Sequence, residues 1–370
     1  MIKALFVYPT EQRWYEYYDR EFFSDRAIKF YVTGDQLVVN QSTSMEKVGL
    51  QYEAKYRSEF LRKLFGGLVR LEETIRDLSP DLVLTKELHS PTTYRVSKIG
   101  GNFKHIVISD ETIPPNKSIY GKFPVTRYYF NYNCRKTRYF IFISNKSKES
   151  LLPYCLMARK SIIVYPPIAP KIDFQYERNE DKTFTFSFIG NVSKNKGVKT
   201  LLRSILILPS LTNKRFILKL AGEGSLSVYV RSMADKYDQI EYLGYVSEEE
   251  KESLLKSTDV FVYPSEDINF LGMKRWEEQG AISAMEAMAF GIPVIGTDSG
   301  SIPEIIRDSR VISKQNNPYE LAGKMRLLLE NENLRKEIGM NNKKWIQNNY
   351  SNISDARMVN NFLRDVAEDN

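Results

Sequence analysis

Short apolar runs rich in β-branched and aromatic residues alternate along the chain with longer stretches of helical period. That rhythm is the one expected of a parallel sheet with crossover helices. In the first half the strand candidates are Ile2 to Tyr8, Ile28 to Thr33, Leu82 to Thr85, His105 to Ser109, Arg138 to Ser144 and Ile162 to Tyr165. Between them Phe60, Leu61, Leu64, Phe65, Leu68, Leu71 and Ile75 recur at three- and four-residue steps, the apolar stripe of a helix that also carries Arg62, Lys63 and Arg70. The opening run meets Pro9, Glu11 and Arg13 too soon for the apolar core of a signal peptide, and no stretch approaches the roughly eighteen apolar residues of a membrane span. It reads as a first strand.

From Pro166 to Lys182 the sequence is PPIAPKIDFQYERNEDK, in which three early prolines and a charged run interrupt both periods at once, as in an exposed connection. After it, strands at Phe184 to Ile189, Phe216 to Ala221, Ile240 to Leu243, Val260 to Tyr263, Pro293 to Gly296 and Val311 to Ile312 again alternate with helices. The chain closes in helices near Ala322 to Leu329, Glu332 to Asn348 and Ile353 to Ala367. The fold class is therefore α/β, with two Rossmann-like, doubly wound domains at 1–166 and 183–350, a linker at 167–182, and a last helix at about 352–368 that is free to pack back on the first domain. A length of 370 residues suits two such domains.

Apolar residues make up 42% and charged residues 27%, which excludes a disordered or fibrous chain. Two cysteines, Cys134 and Cys155, favour a reducing, cytoplasmic setting over a disulfide scaffold or a cysteine metal site. The net charge of +7 is uneven, with 26 basic against 17 acidic residues through Pro170. Within that half, residues 95 to 160 hold 13 Lys or Arg against only Asp110, Glu111 and Glu149, so this surface faces something anionic. Lys117 to Phe140 (KSIYGKFPVTRYYFNYNCRKTRYF) interleaves the cations with Tyr and Phe, which suits anionic lipid headgroups or stacking on single-stranded nucleic acid. The plain alternative is a basic loop followed by a buried strand.

Open α/β sheets bind ligands beyond their strand C-termini, where helix N-termini favour phosphate. The first such turn of the second half is FIGNVSKNKG, 188–197, in which Gly190 lets the backbone approach an anion and Lys194 and Lys196 supply charge; an ordinary turn with solvated lysines is the plain alternative. A second glycine turn, Gly222-Glu223-Gly224, lacks the third glycine of a dinucleotide fingerprint and reads as structural. Further on, WEEQGAISAMEAMAFGIPVI (276–295) opens a helix near Gly280 and closes it at Gly291. Glu278 and Glu286, eight residues apart or about 12 Å along a helix axis, suit the two ends of one polyhydroxylated ligand. The unpaired N–H groups of Gln279, Gly280, Ala281 and Ile282 lie between them, where a diphosphate is best placed. Otherwise Glu278 caps the helix and Glu286 makes an ion pair.

The segment resembles the E-x7-E signature of retaining GT-B glycosyltransferases, specifically the GT4-like group: Glu278 and Glu286 frame seven residues, followed by Ala287-Met288-Ala289 and Gly291-x-Pro293. Gly190 to Leu202 resembles the family's phosphate loop with Lys196 at the matching lysine, Gly244-x-Val246-Ser247 its nucleotide-base turn, Asp259 to Ser265 its next strand and loop, and Thr297 to Glu304 the motif after the E-x7-E helix. Five ordered motifs span residues 184 to 306, whereas over 1 to 165 the likeness rests on strand and helix rhythm alone.

The resemblance implies a retaining glycosyltransferase, two domains facing a central cleft, and transfer of a hexose-like sugar from a nucleoside-diphosphate sugar to a hydroxyl of a glycan, glycolipid or related acceptor. Residues 183–350 would bind the donor and 1–166 the acceptor. Glu286 would hold the ribose hydroxyls, Glu278 the donor-sugar hydroxyls, Lys196 the diphosphate, and the N–H groups near Gly280 to Ile282 would complete the cradle. No cofactor beyond the donor substrate is implied. The sequence departs from the family at three places. Asn191 stands where an arginine is usual, with Lys194 as the compensating charge. Val7 to Glu11 has no glycine-rich loop, and the family's histidine has no match, its strand running instead into Asp110-Glu111. Asp110 or Glu111 is therefore placed near the acceptor hydroxyl, with His89 as a second candidate against its reading as an ordinary loop histidine. The segment Glu266 to Glu277 reads as a long loop bringing Phe270, Trp276, Lys274 and Arg275 beside the donor. No Asp-x-Asp pair occurs, which implies metal-independent transfer. Beside this reading the basic half points to an anionic membrane surface on the cytoplasmic face rather than to nucleic acid. The alternatives are a nucleotide-sugar epimerase of the same fold and a non-catalytic basic binding protein whose donor site has decayed.

Overall fold

The computed structural model describes residues 1–7, 27–33, 46–48, 70–119, 121–166, 183–349 and 352–369. The glycine-free segment 8–11, residues 60–68 with Arg62 and Lys63, and the linker 167–182 lie outside the described residues. The chain forms two compact units. One comprises Met1–Pro167, Phe270–Arg275 and Asn352–Asn370, and the other Ile168–Asn269 and Trp276–Ser351.

The first unit is built on a parallel sheet of seven strands: β1 (Ile2–Val7), β2 (Ile28–Thr33), β3 (Glu46–Val48), β4 (Leu82–Lys86), β5 (Lys104–Ser109), β6 (Tyr139–Phe142) and β7 (Lys160–Ile163). Their order is β3-β2-β1-β4-β5-β6-β7, so the winding reverses between β1 and β4. A parallel sheet covered on both faces needs apolar side chains at consecutive positions, and Tyr139, Phe140, Ile141 and Phe142 of β6 are all buried. One face packs on Ala356, Val359, Phe362, Leu363 and Val366 of the last helix, Asn352–Ala367. Leu71, Ile75 and Val96 cover β1 and β4 from helices Leu71–Leu78 and Pro91–Ile99.

The remaining strands are β8 (Phe184–Ile189), β9 (Phe216–Ala221), β10 (Ile240–Gly244), β11 (Val260–Tyr263), β12 (Ile268–Phe270), β13 (Met273–Trp276), β14 (Val294–Thr297) and β15 (Ile312–Ser313); β12 and β13 form a hairpin of their own, and the other six build the sheet of the second unit. The main sheet runs β10-β9-β8-β11-β14-β15, the doubly wound order with its reversal between β8 and β11. All six residues of β8 are buried, and each such Phe or Ile contributes about 1.5–3 kcal/mol.

Two segments differ from the sequence reading. The basic, aromatic stretch is not a loop leading into a strand, because Pro124–Lys136 is a helix. Pro124 occupies its first turn, where no backbone N–H is needed, and Thr126, Phe130, Asn133 and Cys134 are buried at helical steps. The expected loop Glu266 to Glu277 is the hairpin β12/β13. Its two turn residues, Leu271 (φ 49°) and Gly272 (φ 74°), both lie in the left-handed region that two-residue hairpins need, and leucine there gives no sequence signal. Among the described residues no helix is long and apolar enough to cross a membrane.

Candidate active site

In the second unit the predicted residues gather at the strand C-termini around the reversal point. β8 ends at Ile189, and Gly190 leads through a short turn at Lys194–Lys196 into the helix Val198–Ile207. Gly197 closes that turn at φ 67°, and a Cβ there would lie 1.7 Å from the Pro264 carbonyl after β11, so only glycine lets the two strand exits meet. Gly222, after β9, backs directly onto Gly190, where a side chain would strike the Gly190 carbonyl at 1.9 Å. That contact gives the second glycine turn its packing role.

Lys196 points inward. Its Nζ donates to Glu278 Oε2 at 2.6 Å and to the Tyr263 hydroxyl at 3.0 Å, and it lies 5.1 Å from the Trp276 ring centroid. Burial works against its charge, but Tyr263 and Glu278 outweigh it and the ammonium is held above its usual range. Glu278, 4% exposed, also accepts from the Ser265 hydroxyl (2.7 Å) and from the Ala281 N–H (3.4 Å). Burial raises its carboxyl, and Lys196 with these hydrogen bonds more than reverses that, leaving it below the ordinary range. Its backbone is clamped as well. The Glu278 N–H donates to Ser299 Oγ, the Ser301 N–H donates to the Glu278 carbonyl, and a Cβ on Gly300 would lie 1.8 Å from that carbonyl.

The helix Ile282–Ala289 starts two residues later than expected, after Ala281 at a left-handed φ of 39°. Glu278 is therefore outside the helix, and the axial distance read from the eight-residue spacing does not apply. Ser283 donates to the Ile189 carbonyl at 2.8 Å, which fixes the helix N-terminus against the exit of β8. Gln279 and Gly280 are half-buried there, Ala281 is buried and Ile282 is exposed. Glu286 pairs with Lys251 at 2.9 Å. Burial raises its carboxyl, and Lys251 offsets only part of this. Lys251 also meets Glu248 at 2.7 Å and comes from the helix Glu248–Lys256, which the Ser247 and Glu250 capping box starts just beyond Gly244 and Val246. The helix that follows the Gly244 turn thus reaches the second glutamate through one lysine. The two plain alternatives describe real contacts, since Glu278 accepts from the helix N-terminus and Glu286 makes an ion pair. Asn191 and Lys194 are exposed at the rim, and Lys194 lies near Glu266, which accepts from the Thr200 hydroxyl.

In the first unit Asp110, Glu111 and His89 fall into one cluster at the ends of β4 and β5, together with Lys86 and Glu87. Asp110 is paired with Lys86 at 2.6 Å. Glu111 is buried, and its Oε1 accepts from the Ile113 N–H at 3.1 Å. His89, Glu87 and Glu111 line a cavity of about 20 Å³. Burial pushes the His89 imidazole down to about 4, so it is neutral near pH 7. Lys251, Lys86 and Glu87 escaped the sequence reading, and Tyr263 and Ser265 entered it only as part of a strand-and-loop motif with no role, although each follows or ends a strand or begins a helix on the ligand side of its sheet, where the positional rule points.

The two doubly wound units define a class by their fold, the GT-B fold. The whole chain superposes on a sucrose-phosphate synthase of Thermosynechococcus elongatus with a TM-score of 0.75 and 14% identity, covering 99% of each chain. It likewise superposes on Anabaena HepE in complex with UDP and glucose (TM-score 0.70, 13% identity, 99% of this chain and 100% of that one). Residues 169–345 match glycosyl transferases group 1. Among relatives, the chain is 29% identical over 223 residues to an uncharacterized glycosyltransferase of Methanocaldococcus jannaschii, covering 59% of this chain and 57% of that one. It is 26% identical over 193 residues to the capsular polysaccharide biosynthesis glycosyltransferase CapM of Staphylococcus aureus, covering 49% and 46%. The matches thus span about half the length of these relatives.

Proposed function

We propose that this chain is a retaining, metal-independent glycosyltransferase of the GT4-like group that moves a hexose-like sugar from a nucleoside-diphosphate sugar to a hydroxyl of a glycan or lipid-linked acceptor. The observation that carries the reading is the Lys196–Glu278 pair, clamped by Ser265, Ser299 and Gly300 at the point where the sheet reverses. An arriving diphosphate competes with Glu278 for Lys196. As the ammonium turns to the phosphates, the Glu278 carboxylate is released to accept from donor-sugar hydroxyls, while the N–H groups from Gln279 to Ile282 face the diphosphate and Glu286 takes the ribose. In the transfer step the acceptor oxygen bonds to the anomeric carbon on the face that the leaving group vacates. The bond from that carbon to the phosphate oxygen breaks with its electron pair going to the nucleoside diphosphate, whose charge Lys196 neutralises. The acceptor proton goes to Asp110. Glu111 serves less well, because its carboxyl is turned onto its own backbone.

A place at the cytoplasmic face of an anionic membrane is supported by the helix Pro124–Lys136. It exposes Tyr128 (55%) beside Tyr94, Tyr129 and Tyr132 on a surface with Arg127, Arg135 and Lys136. The test of the donor reading is a thermal-shift screen against UDP-, GDP-, ADP- and dTDP-sugars, beginning with UDP-glucose because a fold neighbour binds UDP and glucose. A ligand bound only by the native state raises its stability by about 2.7 kcal/mol at one hundred times its Kd. No shift with any of the four, at millimolar concentration, would refute the reading.

A further inference from the structure

Lys251 lies between two carboxylates of unequal standing. On one side its Nζ meets Glu248 Oε2 at 2.7 Å, one turn earlier on the same helix, and that carboxylate is 80% exposed. Exposed pairs of this kind contribute little, because water screens both charges. On the other side the ammonium donates to Glu286 Oε1 at 2.9 Å, across to the helix Ile282–Ala289, where 17% of the lysine side chain and 12% of the glutamate are exposed. In so shielded a pair, removing either partner strands the charge of the other. Lys251 therefore serves Glu286 first.

The helix start fixes where the lysine sits. Ser247 Oγ accepts from the Glu250 N–H at 3.2 Å and the Glu250 carboxylate accepts from the Ser247 N–H at 2.7 Å, a capping box set just beyond Gly244. The Lys251 N–H donates to the Ser247 carbonyl at 2.8 Å, which closes the first turn and sets its register. From there the ammonium takes only one edge of the Glu286 carboxylate. It holds Oε1, and among the described residues no group donates to Oε2. A carboxylate has about four lone-pair sites over its two oxygens, so this one keeps room for two further donors. Two hydroxyls on adjacent carbons fit such a fork. Burial works against the charge that makes Glu286 an acceptor at both oxygens, and of the titratable groups facing it Lys251 sustains that charge while Glu248 opposes it.

We propose that Lys251 is a positioning residue for Glu286: by holding Oε1 it presents the carboxylate to the adjacent 2′ and 3′ hydroxyls of a ribose, and so makes the site select ribonucleoside diphosphates over their 2′-deoxy counterparts. The inference rests on Glu286 taking the ribose in the donor reading. A ribose brings both hydroxyls, whereas a 2′-deoxyribose leaves part of a shielded carboxylate without a donor, the mismatch that costs affinity. Without Lys251 the carboxyl keeps its proton near neutral pH and is no longer held, and the preference fades.

Calorimetry on the intact chain measures the affinities for UDP, GDP and ADP and for dUDP, dGDP and dADP. The pair with the tightest ribonucleotide is then followed from mildly acidic to mildly alkaline pH. The ratio of its two affinities cancels the titration of the phosphates, which both ligands share. The wild type should favour the ribonucleotide by about tenfold or more at neutral pH, the loss of one hydrogen bond to a charged group. Lys251→Met should bring the ratio towards one there and recover it as pH rises, because the carboxyl loses its proton with increasing pH. Lys251→Ala should do the same, and alanine, the best helix former, keeps the helix should the methionine variant fold poorly. Lys251→Arg should retain the wild-type ratio. If both neutral variants keep that ratio at every pH, with the two affinities falling together or not at all, the lysine is merely structural and the proposal is overturned. A wild-type ratio near one removes Glu286 from the ribose and the selection with it. No binding of any of the six nucleotides overturns the donor reading itself.

Discussion

Replacing Lys196 with methionine keeps the length of the side chain and removes the charge that Glu278 depends on. Glu278 is 4% exposed and would retain only the Ser265 hydroxyl and the long bond from the Ala281 N–H. Removing one partner of a buried pair costs about 3–5 kcal/mol, and protonation of the stranded carboxyl holds this case to the lower end, about 3 kcal/mol. For a unit of this size that is roughly 6–12 °C in Tm near neutral pH. The pH dependence discriminates further. In the wild type the folded pKa of Glu278 lies below its unfolded value, so its contribution is full above the unfolded value and is lost as pH falls through the folded one. In Lys196→Met burial dominates and the folded pKa lies above the unfolded value, so the penalty is full near pH 7 and shrinks as pH falls. The two melting curves should therefore converge on acidification, and adding Glu278→Gln to Lys196→Met should restore most of the lost stability near pH 7. Calorimetric scans of the three proteins at several pH values decide. A Lys196→Met variant within about 0.5 kcal/mol of wild type, with a parallel pH profile, would refute the pairing and the buried role of Glu278.

Glu278→Ala and Glu286→Ala should each lower kcat/KM by more than tenfold, about 1.4 kcal/mol or more of transition-state binding, and near-normal turnover in both would remove the site assignment. Gly300→Ala places a methyl 1.8 Å from the Glu278 carbonyl, so it should cost several kcal/mol in a melting experiment and weaken nucleoside-diphosphate binding in calorimetry, whereas an unchanged Tm would mean that the loop yields freely. Asn191→Arg should tighten nucleoside-diphosphate binding or leave it unchanged, and a loss of affinity would contradict the rim position given to Asn191. Co-sedimentation with vesicles should require anionic lipid and weaken with salt, each basic residue near the surface contributing about 1 kcal/mol, and Arg127→Glu with Arg135→Glu should release the protein. Indifference to anionic vesicles would end the membrane reading.

What the sequence discloses follows the physics of each element. β6 and β8 are legible because a strand buried on both faces must be apolar at consecutive positions. Glu278 and Glu286 are legible because their spacing and the motifs on either side resemble the E-x7-E signature, although Glu278 lies ahead of the helix rather than along it. The Lys196–Glu278 contact joins residues 82 apart and depends on the reversal of strand order, which local pattern does not encode. Helix Pro124–Lys136 is hidden by its own composition, since aromatic and β-branched residues suggest a strand while the buried Thr126, Phe130 and Cys134 keep helical period. Glu87 and Leu271 adopt left-handed conformations that their residue types disfavour, so packing rather than propensity places them.

The most direct test of the account is to follow the product. The intact chain is incubated with the nucleotide sugar that raises its Tm most and with glycan and lipid acceptors, while released nucleoside diphosphate is quantified and the anomeric proton coupling of the new glycoside is read by NMR. The account predicts diphosphate release in step with a glycoside of the same anomeric configuration as the donor, abolished in Lys196→Met. An inverted product, or isomerised nucleotide sugar formed without diphosphate release, would contradict it.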